Sequence, residues 1–280
     1  MAISLGKGGY AIDNLVYRNQ PVPASIVENC VSKPRVIRFE DLNEVSSDVL
    51  LITTKDSEIK DVSSVLAARI RNKPFVFHTS GSLSSTVLSD LMAVGCKTGS
   101  IHPLVSISSP ELGVERFRGA YFCVEGDPEA VVMAEKIVGD LEGISFSIDT
   151  KYKTLYHASA VTACGHLVAL FDAAVKMMTM CGLDAEEAKK ILLPLVKSTV
   201  QNLDEQTTSA ALTGTFARAD LETFNEHLKT LNENVSDELL EIYLLLGERS
   251  LELAARQGVN AERIETLRAK VSIAKSRIKW

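Results

Sequence analysis

Phe75-Val76-Phe77-His78-Thr79-Ser80-Gly81-Ser82 is followed, one helix-length segment later, by Thr98-Gly99-Ser100-Ile101-His102-Pro103-Leu104. Twice, a short apolar run ends in a histidine beside small hydroxyl residues or a proline. Such runs, spaced by a helical segment, read as neighbouring strands of a largely parallel α/β sheet. Ligands of open parallel sheets bind outside the carboxyl ends of the strands, so both histidines are delivered to the edge where chemistry is done. The plainer reading is that each only hydrogen-bonds a neighbouring loop.

Outward from this stretch the alternation continues. Asp48 to Thr53 reads as a strand, and Asp56 as the cap of a helix with apolar positions Ile59, Val62, Val65, Leu66 and Ile70. Ser84 to Val94 reads as a helix, Lys97 to Ile101 as a strand, and a loop carries Pro110 and Gly113. Ala120 to Val124 is a strand, Asp127-Pro128-Glu129 opens a helix with proline at its first position, and Ile144 to Ile148 closes the series.

After Asp149 the pattern becomes helical throughout. Tyr152 to Met180 reads as one helix, apolar almost all round, so other helices or a partner must cover it. Asp184 with Glu187 starts a helix that Pro194 is expected to kink; Ser236 and Asn260 start two more, and Gly258 ends the former. The expected organisation is an α/β sheet domain over residues 1–149 and an all-helical domain over 150–280.

Composition narrows the function. The 280 residues are 46% hydrophobic and 24% charged, ordinary for a globular protein, and the net charge of −6 argues against a nucleic-acid partner. The basic residues from Arg263 to Lys279 alternate with apolar ones and read as a solvated helix face. Five scattered cysteines without a CxxC pair suggest neither disulfides nor a zinc site. No signal-peptide pattern follows Met1, and the uncharged stretch from Thr154 to Phe171 holds two histidines and several hydroxyls. The expectation is a cytoplasmic protein without a membrane partner.

Near the N-terminus, Ile3-Ser4-Leu5 reads as a first strand and Gly6-Lys7-Gly8-Gly9 as the start of a phosphate-binding turn. Gly9 then runs directly into Tyr10 to Tyr17, read as the next strand, whereas a parallel crossover needs about a dozen residues or more. Either a helix is missing between the two, or the glycines make a hairpin and the first two strands are antiparallel. Arg18 stands at the end of the second strand, where an acid favours NAD and an arginine accommodates the 2′-phosphate of NADP.

His78-Thr79-Ser80-Gly81-Ser82, Gly99-Ser100-Ile101-His102-Pro103-Leu104, and Lys153 with Tyr156-His157-Ala158-Ser159-Ala160-Val161 resemble a bacterial family. Its members join a Rossmann-like domain to a C-terminal domain of unknown function similar to the helical half of 6-phosphogluconate dehydrogenase. They are labelled NADP oxidoreductases, and pyrroline-5-carboxylate reductases are more distant relatives. The resemblance covers about residues 48 to 257. It implies a Rossmann-like sheet domain, a helical dimerisation domain and a cleft between them. Family members carry a complete glycine-rich turn and helix at the N-terminus, which this chain does not. Related dehydrogenases also place a lysine and, further along one helix, an asparagine at the reacting carbonyl; here Gly165 stands where members often show the asparagine.

Helical geometry places Lys153, His157, Ala160 and Cys164 on one face, with His166 on the opposite side, so the two histidines do not chelate one metal. Turned toward the sheet, that face meets His78 and His102, and a lysine or histidine there is a general acid for a developing alkoxide. The catalytic candidates are therefore Lys153, His157 and His102. The cofactor candidates are Gly6, Gly8, Gly9, Arg18, Thr53, Thr54, His78 and Ser80. A hydrolase is the weaker reading, because Ser80 lacks a G-x-S-x-G elbow and an acid to orient a base. The expected function is hydride transfer from NADP to a small carbonyl or imine substrate by a homodimer. The alternative is a non-catalytic dinucleotide-binding or assembly protein with a degenerate site.

Overall fold

The computed structural model describes residues 1–107 and 115–278; the loop expected around Pro110 and Gly113, and Lys279, lie outside them. Two compact units divide the chain, Met1–Gly165 and His166–Trp280.

In the first unit, β3 (Val49–Ile52), β4 (Phe75–His78), β5 (Lys97–Pro103), β6 (Tyr121–Gly126) and β7 (Ile144–Phe146) form one sheet in that order. All neighbours are parallel except β5 and β6. Side chains alternate between the faces of a strand, and the sequence sorts them. Phe77, Ile101, Phe122 and Val124 enter one core with Leu5, Ala130, Ala134 and Ile137. Val76 enters a second core with Ile52, Ile59, Val62, Leu66, Leu88 and Leu91. Each fully buried phenylalanine stabilises by about 1.5–3 kcal/mol relative to exposure.

The helices covering these faces are α3 (Asp56–Ala67), the short α4 (Ser89–Ala93) and α5 (Pro128–Asp140). Asp56 is the first residue of α3 and makes no cap hydrogen bond there; it accepts one from the Ser82 hydroxyl at 2.7 Å. The helix expected over Ser84 to Val94 begins as a 3-10 turn, Ser85–Leu88, capped by Ser84. Hydroxyl residues compete for backbone groups and are poor helix formers, which accounts for the tighter turn.

The N-terminal expectations are overturned. Ile3-Ser4-Leu5 is no strand: Ala2–Lys7 is a helix, α1, whose Leu5 packs into the first core. β1 is only Asn14–Tyr17, and it pairs in parallel with β2 (Arg35–Arg38) in a separate two-stranded sheet, after α2 (Ala24–Asn29). The turn is therefore neither a hairpin nor a phosphate cradle. Gly6 lies within α1, Gly8 ends it by donating its N–H to Ser4 O, and Gly9 leaves it at φ +91°. A Cβ on Gly8 would sit 2.9 Å from Asp140 O, so this glycine allows α1 to approach α5 closely. Tyr10 fixes the same contact by donating to Asp140 Oδ2 at 2.6 Å.

Strand–helix alternation stops after β7, and α6 runs from Lys153 to Met180. The compact units part only after Gly165, because the first turns of α6 bury Lys153 against the sheet. By length and composition alone, Thr150–Met180 is sufficient to cross a membrane, and few residues of its most apolar window are buried.

The second unit adds α7 (Ala185–Glu205), α8 (Leu221–Asn234), α9 (Asp237–Arg256) and α10 (Ala261–Lys275). Asp184, Asp220, Ser236 and Asn260 cap them through N–H groups three residues on, each cap being worth about 1 kcal/mol. α7 continues through Pro194. The core is built on Phe224, Leu240, Leu244, Leu251, Ile264, Leu267 and Val271.

Candidate functional site

On the second face of the sheet, apolar residues give way to polar ones toward the carboxyl ends of β4 and β5. Register sets His78 beside Ser100, Ser100 beside Glu125, and His102 beside Cys123. The start of α6 lies against this polar end. Lys153, one per cent exposed, points its ammonium at Glu125 Oε1, 2.9 Å away, and also donates to the Ser100 hydroxyl. Glu125 accepts further from the Ser85 N–H at 2.9 Å and the Ser85 hydroxyl at 2.8 Å. A buried charge is tolerated when paired and hydrogen-bonded, and this one is both.

About one turn along from that anchor stand Tyr156 and His157. The Tyr156 hydroxyl is 2.7 Å from His102 Nδ1. His157 stacks edge-on against His102, with ring centroids 5.9 Å apart. Both rings border Gly81. A Cβ there would lie 2.5 Å from His157 Cδ2 and 2.7 Å from His102 Nε2. Its φ is outside the left-handed region, so this glycine is required for close packing: both rings lie against its backbone where a methyl would not fit. Lys60, Ser82, Ser84, Thr86, Thr150 and Thr154 line much of a cleft of about 360 Å³.

Gly81→Ala forces the two imidazoles to move. We expect a cost of about 1–3 kcal/mol, read as a lower urea midpoint together with shifted His102 and His157 ring signals. Unchanged ring signals would contradict the packing.

Electrostatics follow from burial. The pKa of His78 is pushed down to about 4, first by desolvation and then by the Lys153 ammonium. His102 is also held at about 4, by burial, then Lys153 and His157. Desolvation, with Cys123 nearby, raises the Tyr156 phenol above its ordinary value. Both histidines are neutral in the folded protein at a pH that charges them in the unfolded chain. Their stabilisation is complete above pH 6.5 and is lost as the pH falls to 4. His78 alone carries about 3 kcal/mol of this. Urea midpoints should fall across that window; a flat profile would contradict the assignment.

The structure thus brings together Lys153, His157 and His102, all named from the sequence. His78 is wholly buried, with Nδ1 accepting from the Ser80 N–H at 3.2 Å and Nε2 unpartnered. The Ser80 hydroxyl accepts from the N–H groups of Ser82 and Leu83 and shapes the loop. Thr53 follows β3 in the open, and the Thr54 hydroxyl is buried without a partner. Gly6, Gly8 and Gly9 do not join the cluster, being spent on α1. Arg18 pairs with Glu58 at 3.3 Å and lies over the Phe39 ring. Sequence reasoning missed Glu125, Ser100, Ser85 and the role of Gly81. The available signal was an acid inside an otherwise apolar strand, Tyr121–Gly126, since unpaired acids are almost never fully buried.

A mostly parallel sheet followed by an all-helical half is a Rossmann-like architecture. Residues 120–250 match the family model DUF2520, a domain of unknown function. No curated protein is similar to the chain in sequence. Among solved structures, protein TM1727 from Thermotoga maritima matches with a TM-score of 0.72 at 22% identity, over 91% of this chain and 95% of that one. BF3122 from Bacteroides fragilis, assigned as an NADP oxidoreductase, matches at 0.69 and 20% identity over 90% and 92%. Pyrroline carboxylate reductase from Plasmodium falciparum, solved with NADP bound, matches at 0.53 and 14% identity over 96% and 92%. These likenesses establish the fold.

Proposed function

We propose that this protein is an oxidoreductase that takes a small carbonyl or imine compound at the cluster of His102, His157 and Tyr156. The observation that carries this reading is the convergence of these three side chains beside Gly81, anchored by the buried Lys153–Glu125 pair. His102 is the group that would hydrogen-bond a substrate oxygen or nitrogen. Lys153 holds α6 on the sheet and adds to burial, the larger cause, in keeping the imidazoles neutral. It acts as a positioning residue, since its ammonium is enclosed.

NADP is the expected hydride source, as the resemblance and the printed names of the neighbours suggest. In this fold the pyrophosphate rests on a glycine turn that opens a helix. Gly6, Gly8 and Gly9 close a helix instead, so the described residues do not supply that cradle. This favours a second reading, a small-molecule-binding protein without turnover. Thermal shifts with NADPH, with NADH and without ligand separate the two, because a ligand bound only by the native state raises stability. A rise with NADPH above that with NADH supports the reductase. No rise with either supports the second reading, and an equal or larger rise with NADH removes the NADP preference.

We also propose that a second copy covers the exposed apolar residues of α6 and α7 in the second unit, among them Leu167, Val168, Leu170, Ile191 and Leu195. A surface this apolar is unusual for a monomer.

A further inference from the structure

We propose that Tyr156 locks His102 as the Nε2–H tautomer, a neutral hydrogen-bond donor suited to a carbonyl oxygen or imine nitrogen. The ligand class rests on the proposed function; the lock itself does not. The Tyr156 oxygen lies 2.7 Å from His102 Nδ1. A phenol is the better donor and an imidazole nitrogen the better acceptor, so the O–H donates and Nδ1 accepts. The ring proton then sits on Nε2, the ring atom next to Gly81.

The surroundings agree. Lys153 is the nearest ammonium, and its charge is engaged by Glu125 at 2.9 Å. Asp56, the acid acting on His102, accepts from Ser82. Lys60 lines the cleft that Ser82 also lines. His78 is held in the same tautomer by a different partner, because the Ser80 N–H can only donate to Nδ1. Two histidines on one sheet face are therefore both fixed as Nε2–H, by unrelated contacts. Tyr156 is a positioning residue in this arrangement.

Long-range ¹H–¹⁵N spectra of histidine-labelled protein at pH 7 test this directly. We expect Nε2–H for His102 in the wild type, and a tautomer ratio shifted about fivefold toward Nδ1–H in Tyr156→Phe, the equivalent of one lost hydrogen bond. Cyclohexanone as a probe should move the His102 Nε2–H signal, with about fivefold weaker affinity in the variant. A wild-type Nδ1–H tautomer, or an unchanged ratio in Tyr156→Phe, overturns the lock. The wild-type spectrum decides even if the variant does not fold. A confirmed Nε2–H tautomer with no response to cyclohexanone upholds the lock and counts against the substrate reading alone.

Discussion

Lys153→Met should lower the stability of the unit bearing the sheet by about 3–5 kcal/mol, the usual cost of stranding a buried charge. The partner left behind, Glu125, is four per cent exposed and keeps only the Ser85 contacts. Adding Glu125→Gln removes that charge while retaining an acceptor for the Ser85 N–H, so the double variant should recover at least half of the loss. Residues in one network couple strongly, and a double-mutant cycle isolates the coupling. Urea unfolding of the four proteins gives the result. Additive losses would mean that the pair does not form.

The second large effect concerns assembly. Val168 and Leu195 are 68% and 62% exposed in the single chain, so charging them leaves the fold of the protomer intact. If a second copy covers them, Val168→Glu with Leu195→Glu buries unpaired carboxylates and weakens the dimer by at least about 100-fold. Light scattering should find a dimer for the wild type at micromolar concentration and a monomer for the variant. A wild-type monomer contradicts the proposal.

What the sequence revealed depended on whether local pattern and tertiary demand agreed. Between Val49 and Phe146 they agreed: β-branched and aromatic runs became strands, and the histidine within Lys97–Pro103 met the start of α6. At the N-terminus they conflicted. Glycines that read as a phosphate turn are the same residues that end a helix and admit a neighbouring backbone, and periodicity over Ala2–Lys7 is too short to separate strand from helix. Arg18 illustrates a related limit, since an arginine after a strand serves Glu58 as readily as a phosphate. Glu125 was hidden because its partner lies across the sheet on another element, a pairing that no local spacing encodes.

Titrating cyclohexanone into ¹⁵N-histidine-labelled wild type and Gly81→Ala, with the His102 ring signals as readout, tests the central claim most directly. His102 and His157 keep their places only because residue 81 has no side chain, and a methyl there would displace both rings. A saturable shift of His102 in the wild type, lost in Gly81→Ala while both proteins remain folded, is the predicted result. No shift in the wild type, or the same shift in both proteins, would contradict it.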